Sequence, residues 1–140
     1  MLTRTSVEQL QLAFGTFTVD AFASSATALL PRFWSAQPTA GAERFDAFAQ
    51  DWASEHLLVH APVDRLVDVV AKLRASLSAS AVVVVPFWTG APWFQLLSEL
   101  ARDSMVLPAG SLEPVAARTG HVRSWRCVAF YVALREYSWQ

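Results

Sequence analysis

Residues Val19–Trp34 read VDAFASSATALLPRFW, and Phe45–Trp52 read FDAFAQDW. In each, an acid, Asp20 or Asp46, ends an apolar run and opens an Asp-Ala-Phe-Ala phrase. A carboxylate just past the carboxyl end of a buried strand faces the crevice where open α/β sheets bind ligands. A third strand end is expected at His60-Ala61-Pro62-Val63, after the short apolar segment His56–Val59.

Working outward, Ala81–Pro86 is an unbroken aliphatic run, as expected of a strand covered on both faces of a parallel sheet. Between these strands, Asp64–Leu77 predicts a helix. Its Leu66, Val69, Val70, Leu73 and Leu77 share one face, and Asp68, Lys72 and Arg74 lie elsewhere. Pro92 suits the first position of a further helix that buries Phe94, Leu97 and Leu100. Met105–Leu107 and Arg126–Leu134 read as strands with no helix between them, so the last should run antiparallel to the rest. Toward the N-terminus, Thr5-Ser6-Val7-Glu8 has the form of a capping box. Val7, Leu10 and Phe14 follow at helical spacing, and Gly15 supplies the stop. Thr16–Phe22 is expected to be the first strand, Ser24–Leu30 a short helix, and Gln37–Glu43 irregular. This order predicts one α/β domain with three layers and a mostly parallel sheet.

The bulk numbers narrow the function classes. A chain of 140 residues, 54% hydrophobic and 16% charged, is one packed domain and not a disordered segment. Eleven basic against twelve acidic residues argue against a dedicated duplex-DNA binder, which carries a basic excess. Cys127 stands alone, which excludes an intrachain disulfide or cysteine zinc site and suits an intracellular setting, nuclear or cytoplasmic. The start, MLTRTSVEQLQ, lacks the apolar core of a signal peptide. The longest aliphatic run is too short to cross a bilayer, so no membrane partner is expected. Six Trp and nine Phe are many for this length, and some are expected on a surface that meets a partner.

Five phrases in collinear order carry a family resemblance. They are Asp20-Ala21-Phe22-Ala23-Ser24, Pro31-Arg32-Phe33, Asp46-Ala47-Phe48-Ala49-Gln50-Asp51-Trp52, Pro86-Phe87-Trp88 and Pro92-Trp93-Phe94. Over about residues 5 to 134 the chain resembles the phage-type DNA adenine methyltransferases (Dam-like proteins), in the form carried by DIRS-type, tyrosine-recombinase retrotransposons. In those polyproteins the domain follows a reverse transcriptase and a ribonuclease H. The resemblance implies a Rossmann-like, methyltransferase-type sandwich with an antiparallel C-terminal strand. It also implies a pocket for S-adenosylmethionine, DNA as a partner, and contacts with other polyprotein domains.

Carried over by position, Asp20, Ala23 and Asp46 are the candidates for the cofactor pocket. Both acids could instead cap the segments that follow them, the reading preferred for Asp46. The family's base site is Asp/Asn-Pro-Pro-Tyr/Phe, whose acceptor and aromatic hold an extruded adenine. Here it reads His60-Ala61-Pro62-Val63: a neutral His60 can accept a hydrogen bond and Pro62 is kept, but the first proline and the aromatic are gone. The first strand end also lacks a Gly-rich turn. The expectation is a degenerate, inactive methyltransferase fold that binds nucleic acid or polyprotein partners. Two alternatives stay open: an active enzyme in which His60 replaces the usual acceptor, and a relic that only contacts other proteins.

Other constellations are weaker. Asp20, Asp46, Asp51 and Asp64 have no spacing that demands a two-metal nuclease. His56, His60 and His121 are not at metal-ligand spacings, and no nucleophile elbow is present. Arg118, His121, Arg123 and Arg126 form the one local basic cluster, either a phosphate contact or a solvated hairpin loop. Trp88, Trp93 and Phe94 could stack on bases or pack under a helix start.

Overall fold

In the computed structural model of the chain, residues 2–76, 79–108 and 126–133 are described. Helix α1 (Arg4–Phe14) comes first. Its cap is Thr3, whose Oγ1 accepts from the Ser6 amide at 3.1 Å. The expected box on Thr5 and Glu8 is therefore displaced by two residues. The reason is apolar: with Thr3 as cap, buried Leu2 and Val7 stand at the two positions that form a hydrophobic staple, and they share one core cluster. A cap at Thr5 would put Arg4 in the staple position. Gly15, at φ 95°, closes the helix in a conformation that side chains disfavour.

Strand β1 is only Val19–Asp20, shorter than the expected Thr16–Phe22. Its flanks find partners outside a regular ladder: the Phe17 amide donates to Gln11 Oε1, and the Ala23 amide to the Trp34 carbonyl. The expected helix at Ser24–Leu30 is a turn instead. The Ser24 and Thr27 hydroxyls satisfy each other's amides, an alternative that competes with helix formation.

Two short strands that the sequence pattern does not announce, β2 (Trp34–Ser35) and β3 (Arg44–Phe45), pair in parallel. A single parallel bridge, Asp20 with Phe33, sets this pair against the free side of β1. Arg32 clamps the region, its guanidinium reaching Glu43 at 3.1 Å and Glu55 at 3.0 Å.

The main sheet contains β1, β4 (His56–Val59), β5 (Ser80–Pro86), β6 (Asp103–Leu107) and β7 (Cys127–Ala133). Its order is β1-β4-β5-β7-β6. β1, β4 and β5 are parallel, and β7 is antiparallel to both of its neighbours, β5 and β6. The last strand is thus reversed, as expected, and it sits inside the sheet.

Helix α2 (Leu66–Ala75) follows a 3-10 turn at Val63–Arg65, and α3 (Pro92–Leu100) begins on its proline. The start expected at Asp64 falls in that turn, and Leu77 lies outside the described residues. In α3, Trp93 and Leu97 are the fully buried side chains, while Phe94 and Leu100 are half-buried.

Strand periodicity sorts the core into two faces. Val19, Leu57, Val59, Ala81, Val83, Val85 and Phe130 pack with α2 and α3. Leu58, Val82, Val84, Cys127 and Ala129 pack with α1 on the other side. The protein is therefore α/β, with helices on both faces of a mixed, mostly parallel sheet.

The staple assignment predicts unequal threonines. Thr3→Ala should lower urea-derived stability by about 1 kcal/mol, whereas Thr5→Ala should change it by less than about 0.5 kcal/mol. The opposite order would return the cap to Thr5.

Candidate functional site

From β1 the chain moves outward to β2 and β3 on one side of the sheet; β4 and β5 then build the other side. The connections therefore diverge between β1 and β4, and such a switch point opens a crevice at the carboxyl ends of the strands. The strand ends there are Asp20, Ser35, Phe45, Val59 and Pro86.

Two cavities lie at this rim, with Phe22 lining both. The first, about 310 Å³, is on the α1 side and holds Asp20 and His60 among Leu2, Thr27, Leu29 and Leu58. The second, about 540 Å³, holds Ala23, Ser35, Asp46, Phe48, Pro62 and Arg65. The predicted residues thus reach one rim but divide between two pockets. Asp20 joins His60, and Asp46 joins Ala23 and Pro62.

Asp20 is 5% exposed. Burial pushes its carboxyl up to about 6, partly offset by hydrogen bonds from the Leu29 and Phe22 amides. The Leu29 amide lies 3.3 Å from Oδ2, so the carboxylate ties down the loop that follows β1. His60 moves the other way, pushed down to about 4, chiefly by burial. At neutral pH this pocket therefore presents an ionised acid beside a neutral imidazole, which offers one donor and one acceptor nitrogen.

In the second pocket Asp46 takes a left-handed conformation, φ 58°, and its side chain makes no cap bond to the 3-10 turn Ala47–Ala49. The capping role open to it is not used. Phe48 packs edge-on to Phe22 with centroids 5.3 Å apart, and the Arg65 guanidinium lies 4.3 Å above the Phe48 ring. Arg65 also pairs with Asp68 at 2.8 Å. Buried Trp52 supports this wall, donating to the Ala47 carbonyl at 2.8 Å. Ser35 Oγ is occupied by the Gln37 carbonyl, and the Ala23 amide is committed to Trp34. An acid, a guanidinium and two aromatic rings remain to meet a ligand.

Sequence reasoning missed Arg65 and the role of Phe48. Arg65 follows directly on the Pro62-Val63-Asp64 strand end, which was the one available signal. Of the basic cluster, Arg118, His121 and Arg123 lie outside the described residues. Arg126 is exposed, with its guanidinium 5.4 Å from the centre of the Phe87 ring. No group of three or more metal-ligating side chains occurs among the described residues. None of their helices is long and apolar enough to cross a membrane.

No family model, curated protein or solved structure matches this chain.

The two shifted groups predict opposed pH dependences. Asp20 binds its proton more tightly in the folded state, so its contribution falls as pH rises from about 4 to 6. His60 binds its proton less tightly when folded, so its contribution falls as pH drops from 6.5 to about 4. Each is worth roughly 3 kcal/mol at most, and in the intact protein they largely cancel. Against the parent's profile, Asp20→Asn should make stability fall more steeply on acidification through this window. His60→Asn should make it fall with rising pH. Parallel stability–pH curves for all three proteins would refute the assignment.

Proposed function

We propose that the chain is a Dam-like domain of retroelement origin on the Rossmann-like methyltransferase fold, retaining a cofactor pocket but not a working base site. The observation that supports this most is strand direction. Among the described strands of the main sheet only β7 is reversed, and the switch point gathers Asp20, Asp46 and His60 at one rim.

The second pocket has groups suited to S-adenosylmethionine. Asp46 can accept from ribose hydroxyls or an ammonium, Phe22 and Phe48 can line a purine, and Arg65 can attract a carboxylate. When bound, the cofactor would supply an electrophilic methyl group. Ala23 would contribute only its surface, since its amide is taken.

The base site lacks what transfer needs. Val63 is exposed but has no ring to stack on an extruded base, and Ala61 is buried in the core cluster. Such contacts are worth about 1–3 kcal/mol each, and losing several lowers a rate by orders of magnitude. The remaining role is binding nucleic acid or another polyprotein segment.

One observation favours a second reading, an active adenine methyltransferase. His60 is neutral at pH 7 and faces a cavity beside Asp20, so it is available to accept from an amine.

Calorimetry and methyl transfer separate the readings. S-adenosylmethionine should bind, roughly 5- to 10-fold more weakly in Asp46→Ala, with no methyl incorporation into adenine-containing duplex. Absence of binding at millimolar cofactor would remove the proposal. Incorporation that disappears in His60→Ala would establish the active enzyme.

A further inference from the structure

The larger rim cavity, about 540 Å³, is lined by two ions of opposite sign that do not pair with each other. We propose that Asp46 and Arg65 together recognise the zwitterionic end of an α-amino-acid group, Asp46 taking its ammonium and Arg65 its carboxylate. The inference rests on the reading of this cavity as the cofactor's and fixes the orientation there: the amino-acid tail, and not the ribose, meets Asp46.

Arg65 is oriented without a ligand. Its Nε donates to Asp68 Oδ2 at 2.8 Å, and its guanidinium lies 4.3 Å above the Phe48 ring. One edge and one face of the plane are thereby fixed. The two Nη groups have no hydrogen-bond partner among the described residues. A guanidinium held in this way presents a planar fork that matches the two oxygens of a carboxylate. Asp68 offsets part of its charge, so the fork contributes geometry more than long-range attraction.

Asp46 is held by its backbone. Its φ of 58° is left-handed, a region that side chains disfavour. The Asp46 amide donates to the Ser35 carbonyl at 2.8 Å, and the Asp46 carbonyl accepts from the Ala49 amide at 3.0 Å and from Gln50 Nε2 at 3.3 Å. The carboxylate takes no part in this. It makes no cap bond and pairs with no cation among the described residues. A strained residue whose side chain serves no structural contact points to a ligand.

Charge selects the chemical class. A phosphate or simple carboxylate at the fork would share the cavity with the negative Asp46, and a simple amine at Asp46 would share it with the guanidinium. A group bearing both signs satisfies each ion at once, through charge-assisted hydrogen bonds. A ribose would offer Asp46 only neutral donors and would leave the fork unused. Ala21, Phe22 and Ala47 supply apolar wall for the rest of the ligand.

The test is calorimetry on the whole chain with four adenosine thioethers. S-adenosylhomocysteine carries the full tail, its decarboxylated and deaminated analogues carry half each, and 5′-methylthioadenosine carries neither charge. S-adenosylhomocysteine should bind roughly 10- to 100-fold more tightly than methylthioadenosine. Arg65→Ala should weaken S-adenosylhomocysteine and the deaminated analogue about 5- to 10-fold and leave the other two unchanged. Arg65→Lys should restore part of that loss. Asp46→Asn, which suits the left-handed backbone, should weaken S-adenosylhomocysteine and the decarboxylated analogue by a similar factor and spare the other two. A merely structural role does not produce this crossed pattern. Both positions are exposed, and circular dichroism should show every variant folded. Equal losses for all four ligands in Asp46→Asn would place the ribose there, overturning the proposal while keeping the cofactor reading. Unchanged binding in both Arg65→Ala and Asp46→Asn would overturn it as well. If none of the four binds the parent chain at millimolar concentration, the cofactor reading falls and the proposal with it.

Discussion

The five residues Ala81–Val85 are buried from both faces, and that constraint organises the rest of the structure. A strand with no polar side chain cannot face water on either side. It therefore needs a helix layer above and below, and a strand along each edge to take its amides and carbonyls. α2 and α3 supply one cover and α1 the other, while β4 and β7 supply the edges. Because β4 and β1 run parallel to β5, their carboxyl ends gather at one rim, and polar residues too costly for the core collect there.

Burial at that rim has opposite electrostatic effects on an acid and a base. Desolvation penalises the charged form of each, so Asp20 rises and His60 falls. Their ordinary order of titration is inverted within one cavity. Between about pH 4 and 6 both groups are neutral, and at pH 7 the pocket's charge is that of Asp20. Across Phe22, the second pocket keeps its charges, Asp46 and Arg65, nearer solvent. One rim thus provides a buried compartment holding Asp20 and His60 and a more exposed, aromatic one.

The parts of this arrangement legible in the sequence were those with long periodic signals. The aliphatic β5, the amphipathic α2, the proline at the start of α3 and the reversal of β7 all followed from pattern and connectivity. Two-residue strands such as β2 and β3 carry no period and exist because β1 and the Arg32 clamp hold them. The helix expected at Ser24–Leu30 lost to hydroxyls that bond locally. Asp20, Asp46 and His60 could be read as strand-end residues. Their division between two pockets, and the stacking of Arg65 on Phe48, depend on segments that meet only after folding.

The claim beneath all of this is the direction of the strands around β5. Nuclear Overhauser contacts between backbone protons measure it directly. Alternate opposing pairs between Val82/Tyr131 and Val84/Ala129 should give close Hα–Hα contacts, as antiparallel neighbours do, while Leu57–Val59 and Ala81–Val83 should show only the staggered parallel pattern. Hα–Hα contacts between β4 and β5, or none between β5 and β7, would contradict the account.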